Sequence, residues 1–209
     1  MKKIFYFLLA GGMFLSSCEL EDDGTENGGG SNNNDGGGNN NSEVGLVEPF
    51  DVSLNYIATN LSALSSFDIS SLKAVSANVG DVSLCWQNQY GYMITSPDAA
   101  MIGELYTTND KDDSYTNTKK TTIQNLGAVS LSDYDEASEL KSLSVTSGSI
   151  PNLTSNKYGS PKNQVQVNSG DVIAFQKGNV KGVGKVSGLS KVTKKVTFKG
   201  YVYNPSAAK

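Results

Sequence analysis

The sequence predicts a mainly β domain, all-β or α+β, with antiparallel sheets in a sandwich-like arrangement and two short helices. Short runs of alternating apolar and polar residues recur from Val52 to the end of the chain. Clusters of Gly, Asn and Ser separate them. Only two stretches combine a helix-start signal with helical spacing.

Val52 to Thr59 alternates as V-S-L-N-Y-I-A-T and reads as the opening strand. Ser66 to Ile69 is a short strand. Asp81 to Gln87 places Val82, Leu84 and Trp86 on one face. Gln87 to Gly91 reads as a turn and Tyr92 to Thr95 as the return strand of a hairpin. Thr121 to Gln124, Ala128 to Leu131 and Gln164 to Val167 are further strand candidates. Asp171 to Gln176, Val180 to Val186 and Lys194 to Tyr203 form an antiparallel meander. Its expected breaks are Lys177-Gly178-Asn179 and Ser187-Gly188-Leu189. In the last strand, Val196, Phe198 and Val202 oppose Tyr201 and Tyr203, so both faces should be partly covered.

The first helix should start with Ser96 as N-cap and Pro97 in the first turn, and run to about Tyr106. Ala100, Met101 and Leu105 would face inward. Ser132 to Glu136 is the second start, its acids suiting a helix N-terminus. Ala137, Leu140 and Leu143 follow at helical spacing, with Lys141 near the end.

The N-terminus has the parts of an export signal. Lys2 and Lys3 precede an apolar run of about 12 residues, from Ile4 to Leu15. A bilayer of roughly 30 Å needs about 20 such residues, so this run is too short to span one. Leu15-Ser16-Ser17-Cys18 then resembles the lipobox of bacterial lipoproteins. Residues 1–17 are accordingly read as a signal peptide and Cys18 as the lipidated first residue of the mature chain. Each acyl CH₂ buried in the membrane would contribute about 0.8 kcal/mol. Glu19 to Asp23 resembles the acidic surface-export signal of Bacteroidota lipoproteins. That implies an outer-membrane protein on the cell surface, the periplasmic face being the alternative.

Residues 18–42 hold the lipidated Cys, this acidic patch and a Gly/Asn-rich stretch. Ordering that stretch would cost backbone entropy with no apolar burial in return. It reads as a flexible tether reaching roughly 25 Å. Residues 43–209 form a single β-rich domain, long enough for a sizeable core.

What is missing narrows the chemistry. The chain contains no His and no Arg. Ser-His-Asp and Cys-His catalysis and imidazole zinc sites are therefore excluded. So are bidentate guanidinium grips on phosphate or guanine. A net charge of −4 and an export signal also argue against nucleic acid as a partner. Cys85 is the single cysteine of the domain, so no disulfide can form within it. Beside Trp86 in an alternating run it reads as a small buried hydrophobe.

Charge is unevenly spread. From Lys157 onward there are ten lysines and one acid, Asp171. This basic tail could meet anionic glycan or lipid head groups. Lys177, Lys181, Lys185, Lys191, Lys194, Lys195 and Lys199, however, lie in and between predicted strands, where they read as solvated and discourage edge-to-edge pairing.

Three clusters invite a site. Asn109 to Ser114 gathers oxygen ligands, but the EF-hand spacing fails: the Gly is missing and Thr121 stands where a closing Glu belongs. It reads as an acidic surface loop. Asp133, Asp135, Glu136 and Glu139 could supply the carboxylate pair of a glycan hydrolase; on a helix they read as a solvated face. Tyr90, Tyr92, Tyr106 and Tyr115 lie near predicted turns and helix ends. They could form an aromatic platform for a glycan or a partner protein.

Ser65 to Trp86, SSFDISSLKAVSANVGDVSLCW, resembles the opening of HmuY-like haem-binding lipoproteins, with Gly80-Asp81 where that family has Trp-Asp. Gly170 to Tyr203 resembles its closing strands: G-D-V-x-x-F, a Gly-containing turn, a Lys-rich strand, then T-F-x-x-Y-V-Y. The resemblance implies an all-β fold and haem held by paired axial side chains. In that family the ligands are usually His, which this chain lacks, and Met in some relatives; the resemblance then implies Met93 and Met101, which otherwise read as core residues.

The leading expectation is a non-catalytic binding or interaction module, attached to the outer membrane by its lipid anchor. It would need no cofactor or metal and would bind a glycan, a small molecule or an outer-membrane partner protein. The alternatives are haem capture through Met93 and Met101, and a carboxylate-dependent glycan hydrolase.

Overall fold

The computed structural model describes residues 45–56, 64–103, 115–153 and 158–207. It is mainly β, with two antiparallel five-stranded sheets packed as a sandwich. The first sheet contains β1 (Leu46–Asn55), β6 (Thr122–Gly127), β8 (Val172–Lys177), β9 (Val180–Ser190) and β10 (Lys195–Asn204), in the order β1-β10-β9-β8-β6. The second contains β2 (Ser65–Asp68), β3 (Lys73–Ser76), β4 (Val82–Gln87), β5 (Gly91–Thr95) and β7 (Gln164–Gln166), in the order β3-β2-β4-β5-β7.

Alternation along the strands builds the core. Phe50, Val52 and Leu54 of β1, Phe175 of β8 and Val196, Phe198 and Val202 of β10 point to the sandwich interior. Phe67, Val82, Leu84 and Ile94 meet them from the second sheet. Four of these rings stack centrally: Phe50 lies 4.3 Å from Phe67, centroid to centroid, and Phe198 lies 5.2 Å from Phe50. Glycines in β9 make room for them. A Cβ on Gly184 would fall 2.2 Å from the Phe198 ring, and one on Gly182 would fall 2.4 Å from that of Phe175.

The outer face of the first sheet is covered as well. Val172, Ala174, Val183 and Tyr203 pack with Leu140 of a short helix, Ala137–Ser142, and with Leu131 and Tyr134 of a preceding 3₁₀ turn. The predicted two-faced burial of the last strand is therefore present. Lys181 ties the helix down by donating to the carbonyls of Lys141 (2.8 Å) and Leu143 (2.6 Å). A cation suits the negative end of a helix.

The predicted meander and the β4–β5 hairpin form as expected, but several boundaries move. β1 starts at Leu46, six residues before the predicted strand. β3 carries no alternation that would announce it; pairing with β2 creates it. Ala128–Leu131 is no strand: the Val129 N–H bonds to the Gly127 carbonyl and turns the chain. Ser187–Leu189 is no turn either. β9 runs through it to Ser190, with one extra residue absorbed as a bulge opposite β10.

The first helix does not start at Ser96. Its hydroxyl donates to Asp98 Oδ1 (2.6 Å) and accepts the Thr121 N–H (3.0 Å), so it joins neighbouring segments and caps no helix. Helical backbone begins at residue 100. Leu105 and Tyr106 lie outside the described residues. The second helix is split: Ser132 and Asp133 belong to the 3₁₀ turn, and Glu136 occupies the N-cap without a side-chain capping bond.

The lysines of the tail do not guard sheet edges. β9 and β10 are interior strands, and the edges of their sheet are β1 and β6. Lys185 and Lys199 face each other directly across the β9–β10 ladder. Lys199 finds a carboxylate in Asp51, 3.7 Å away.

Candidate functional site

At one end of the sandwich the inward-facing stripes finish in aromatic rings. Trp86 ends the Val82-Leu84 stripe of β4, and the hairpin register sets it opposite Tyr92 of β5. Tyr56 continues the Phe50-Val52-Leu54 stripe of β1 and crosses to the other sheet. Its ring meets Tyr92 edge-on at 5.2 Å, and the two hydroxyls lie 3.2 Å apart. The Tyr56 hydroxyl also bonds the Ser190 carbonyl. Tyr56 is buried, and this burial, with Tyr92 as neighbour, pushes its hydroxyl pKa well above the ordinary value. Trp86, Tyr90 and Tyr92 are only half-buried, so this end of the core reaches the surface through aromatic rings.

The β9–β10 turn, residues 191–194, overhangs these rings. Ser190 shapes it by accepting the N–H groups of Val192 and Thr193 on its hydroxyl and that of Lys194 on its carbonyl. The Lys194 carbonyl in turn accepts the Tyr56 N–H at 3.1 Å, which fixes the turn against β1. Lys194 is held at φ +53°, a left-handed conformation that costs an L-residue about 1–2 kcal/mol. Lys191 swings back over Trp86, with Nζ 4.7 Å from the ring centroid. Such a contact at the surface contributes about 0.5–1 kcal/mol. Val192, at the tip, is 91% exposed.

The structure distributes the four expected platform tyrosines. Tyr92 is in the aromatic end, and Tyr90 lies in the turn two residues before it, where its carbonyl accepts from Gln166 (2.8 Å). Tyr115 lies elsewhere. Its hydroxyl donates to Pro97 (3.0 Å), and it neighbours Cys85, which projects from the face of β4 opposite to Trp86. Tyr106 lies outside the described residues, as do the Asn109–Ser114 loop and Cys18. Tyr56, Trp86 and Lys191 were not singled out from the sequence as site residues. Alternation in V-S-L-N-Y could have aligned Tyr56 with the core stripe, but only the packing of two sheets brings it to Tyr92.

Met93 and Met101, the residues implied as haem ligands, are both fully buried in the main core. A metal would reach either sulfur only after that core opened. Asp133, Asp135, Glu136 and Glu139 are all exposed along the 3₁₀ turn and short helix. Among the described residues, no group of three or more His, Cys, Asp or Glu is placed to hold a metal ion. No described helix is long and apolar enough to cross a membrane.

A second polar cluster lies between the sheets. The fully buried Asp81 receives the Lys177 ammonium at 2.7 Å, the Lys119 ammonium at 3.4 Å and the Ile69 N–H at 3.0 Å. Nearby, burial opposes ionisation of Asp68. Hydrogen bonds from Ser71 and Ser70 outweigh it and hold this carboxyl below the usual range. Asp81 follows Gly80, where the resembling family has Trp. A Cβ at Gly80 would fall 2.2 Å from that of Ser66, so no larger residue fits this backbone. Lys177 of one sheet and Asp81 of the other meet inside the protein, which makes this ion pair a clamp between the sheets.

The chain matches no protein-family model, no curated protein and no solved structure.

Proposed function

We propose that this chain is a lipid-anchored binding module of the outer membrane, and that it meets its ligand at the aromatic end of the sandwich. The reading combines the export signal and lipobox around Cys18 with one structural observation. Trp86, Tyr90 and Tyr92 pack against one end of the core and stay partly exposed there, with a lysine-bearing turn beside them. Rings with one apolar face and one wet edge suit stacking on a ligand more than sealing a core. Aromatic faces and lysine ammonium groups are recognition chemistry, and the proposal is of binding. A surface orientation follows from the acidic Glu19–Asp23 segment.

The test is to express the lipidated protein in its native membrane and identify what co-purifies. Trp86→Phe and Tyr92→Ala variants, checked for folding by circular dichroism, should lose the co-purifying species. Retention of that species by both folded variants would place binding elsewhere. Cys18→Ala should abolish acyl incorporation and release the chain from the membrane fraction.

A further inference from the structure

We infer that the ligand of the aromatic end is an anionic carbohydrate, a glycan chain bearing carboxylate or sulfate groups. The inference rests on the reading above and names its ligand class.

Two observations carry it, one for the sugar and one for the charge. Trp86 and Tyr92 stand side by side on the same face of adjacent strands, with Tyr90 in the turn between them. Aromatic faces recognise the apolar C–H faces of sugar rings, whereas a peptide ligand would need strand edges or apolar pockets. Tyr92 is further oriented by Tyr56, so it is held before any ligand arrives.

The charge comes from the overhanging turn. Lys191, Lys194 and Lys195 are all exposed around it. Among the described residues, no carboxylate lies within ion-pair distance of these three, whereas Lys177, Lys119 and Lys199 each have one. After Asp171 the chain carries eight lysines and no acid. Lys191 rests on the Trp86 ring, its place taken by no carboxylate. A sugar stacking on Trp86 would displace this ammonium from the ring and leave it free to pair with the sugar's own anionic group. Stacking and ion pairing then reinforce each other on a ligand that has both features. A neutral glycan would have to displace Lys191 without that return.

Trp86 is the single tryptophan of the chain, so its emission reports this site alone. The purified full-length protein is titrated with polygalacturonate and with the same polymer methyl-esterified. Dextran sulfate and dextran form a second matched pair. The acidic member of at least one pair should change Trp86 emission saturably, and its neutral partner should bind at least about tenfold more weakly. Lys191→Ala with Lys194→Ala should weaken binding about tenfold, while Lys162→Ala should not. Trp86→Phe, followed by calorimetry, should also weaken it, which charge attraction alone would not cause. Equal binding of acidic and neutral polymers would overturn the anionic assignment and leave the aromatic site standing. No response to any of the four polymers would overturn the carbohydrate assignment; co-purification then decides whether the aromatic end binds anything. Binding indifferent to Trp86→Phe would assign it to a diffuse lysine surface and overturn the inference.

Discussion

The Lys177 ammonium, at the end of β8, lies 2.7 Å from the Asp81 carboxylate at the start of β4, and this contact joins the two sheets. Asp81 is fully buried, while Lys177 and Lys119 are each a little over one-third exposed. Removing the acid leaves two lysines that can turn to water. Removing a lysine leaves a buried carboxylate short of a partner. Asp81→Asn is expected to cost about 2–3 kcal/mol, below the full range for a wholly buried pair. Lys177→Met should cost more than Lys119→Met, whose ammonium is farther away. Urea denaturation checks this as a lowered midpoint at unchanged slope.

The ring cluster sets a second expectation. Phe67 is fully buried, 4.3 Å from Phe50 and 5.7 Å from both Phe175 and Phe198. Phe67→Ala should lose about 3–5 kcal/mol. Gly184→Ala adds one methyl group where the Phe198 ring already lies, and should cost about 1–3 kcal/mol by overpacking. Thermal denaturation of each variant measures both.

Cys85 predicts a pH dependence. Burial pushes its thiol up to about 12 from an ordinary 9.0. Below pH 9 the thiol is protonated in both folded and unfolded chains and contributes nothing. Between about 9 and 12 only the unfolded chain releases this proton, so stability falls as pH rises, by up to about 1.4 kcal/mol per pH unit. Tyr56 and Tyr115, whose hydroxyls burial also raises, ionise more readily in the unfolded chain and add to the fall in this range. The difference between the wild type and Cys85→Ala therefore isolates the thiol: the variant should lose stability less steeply above pH 9. Iodoacetamide should label Cys85 only as fast as the domain opens.

Lys181 holds the short helix by its C-terminal carbonyls. Lys181→Met should cost about 1 kcal/mol, because the ammonium is partly solvated. Hydrogen exchange should show the loss locally, as faster exchange of the Leu140 and Leu143 amides against unchanged β8–β10 amides.

Met93→Ala and Met101→Ala should each cost about 2–5 kcal/mol, as truncations in a filled core. Titration of haemin into the native protein is expected to give no Soret change that depends on either sulfur. A Met-dependent Soret shift would reverse that expectation.

Much of the architecture was legible because alternation records which face of a strand is buried. V-S-L-C-W assigned Val82, Leu84 and Trp86 to one face, and the turn before Gly91 paired them with β5. Val196, Phe198 and Tyr201 announced a strand covered on both sides. Lys73–Ser76 could not be read, since a four-residue edge strand owes its form to its neighbour. Ser96 departs from its expected role because a serine before proline signals a cap, yet its hydroxyl is also free to accept from the Thr121 N–H. Ser187-Gly188 looked like a turn because a bulge and a turn use the same residues.

The sequence by itself determined the mainly β class, the two-faced last strand and the chemistry ruled out by the absence of His and Arg. These follow from local periodicity and from which side chains exist at all. Only the tertiary structure decided which aromatic residues gather, and that Lys191 lies over Trp86. It also decided that Asp81 is answered by Lys177, 96 residues further along the chain. Those relationships depend on strand order and on the register between sheets. Both are set by the summed packing of the two faces, which no single stretch of sequence contains.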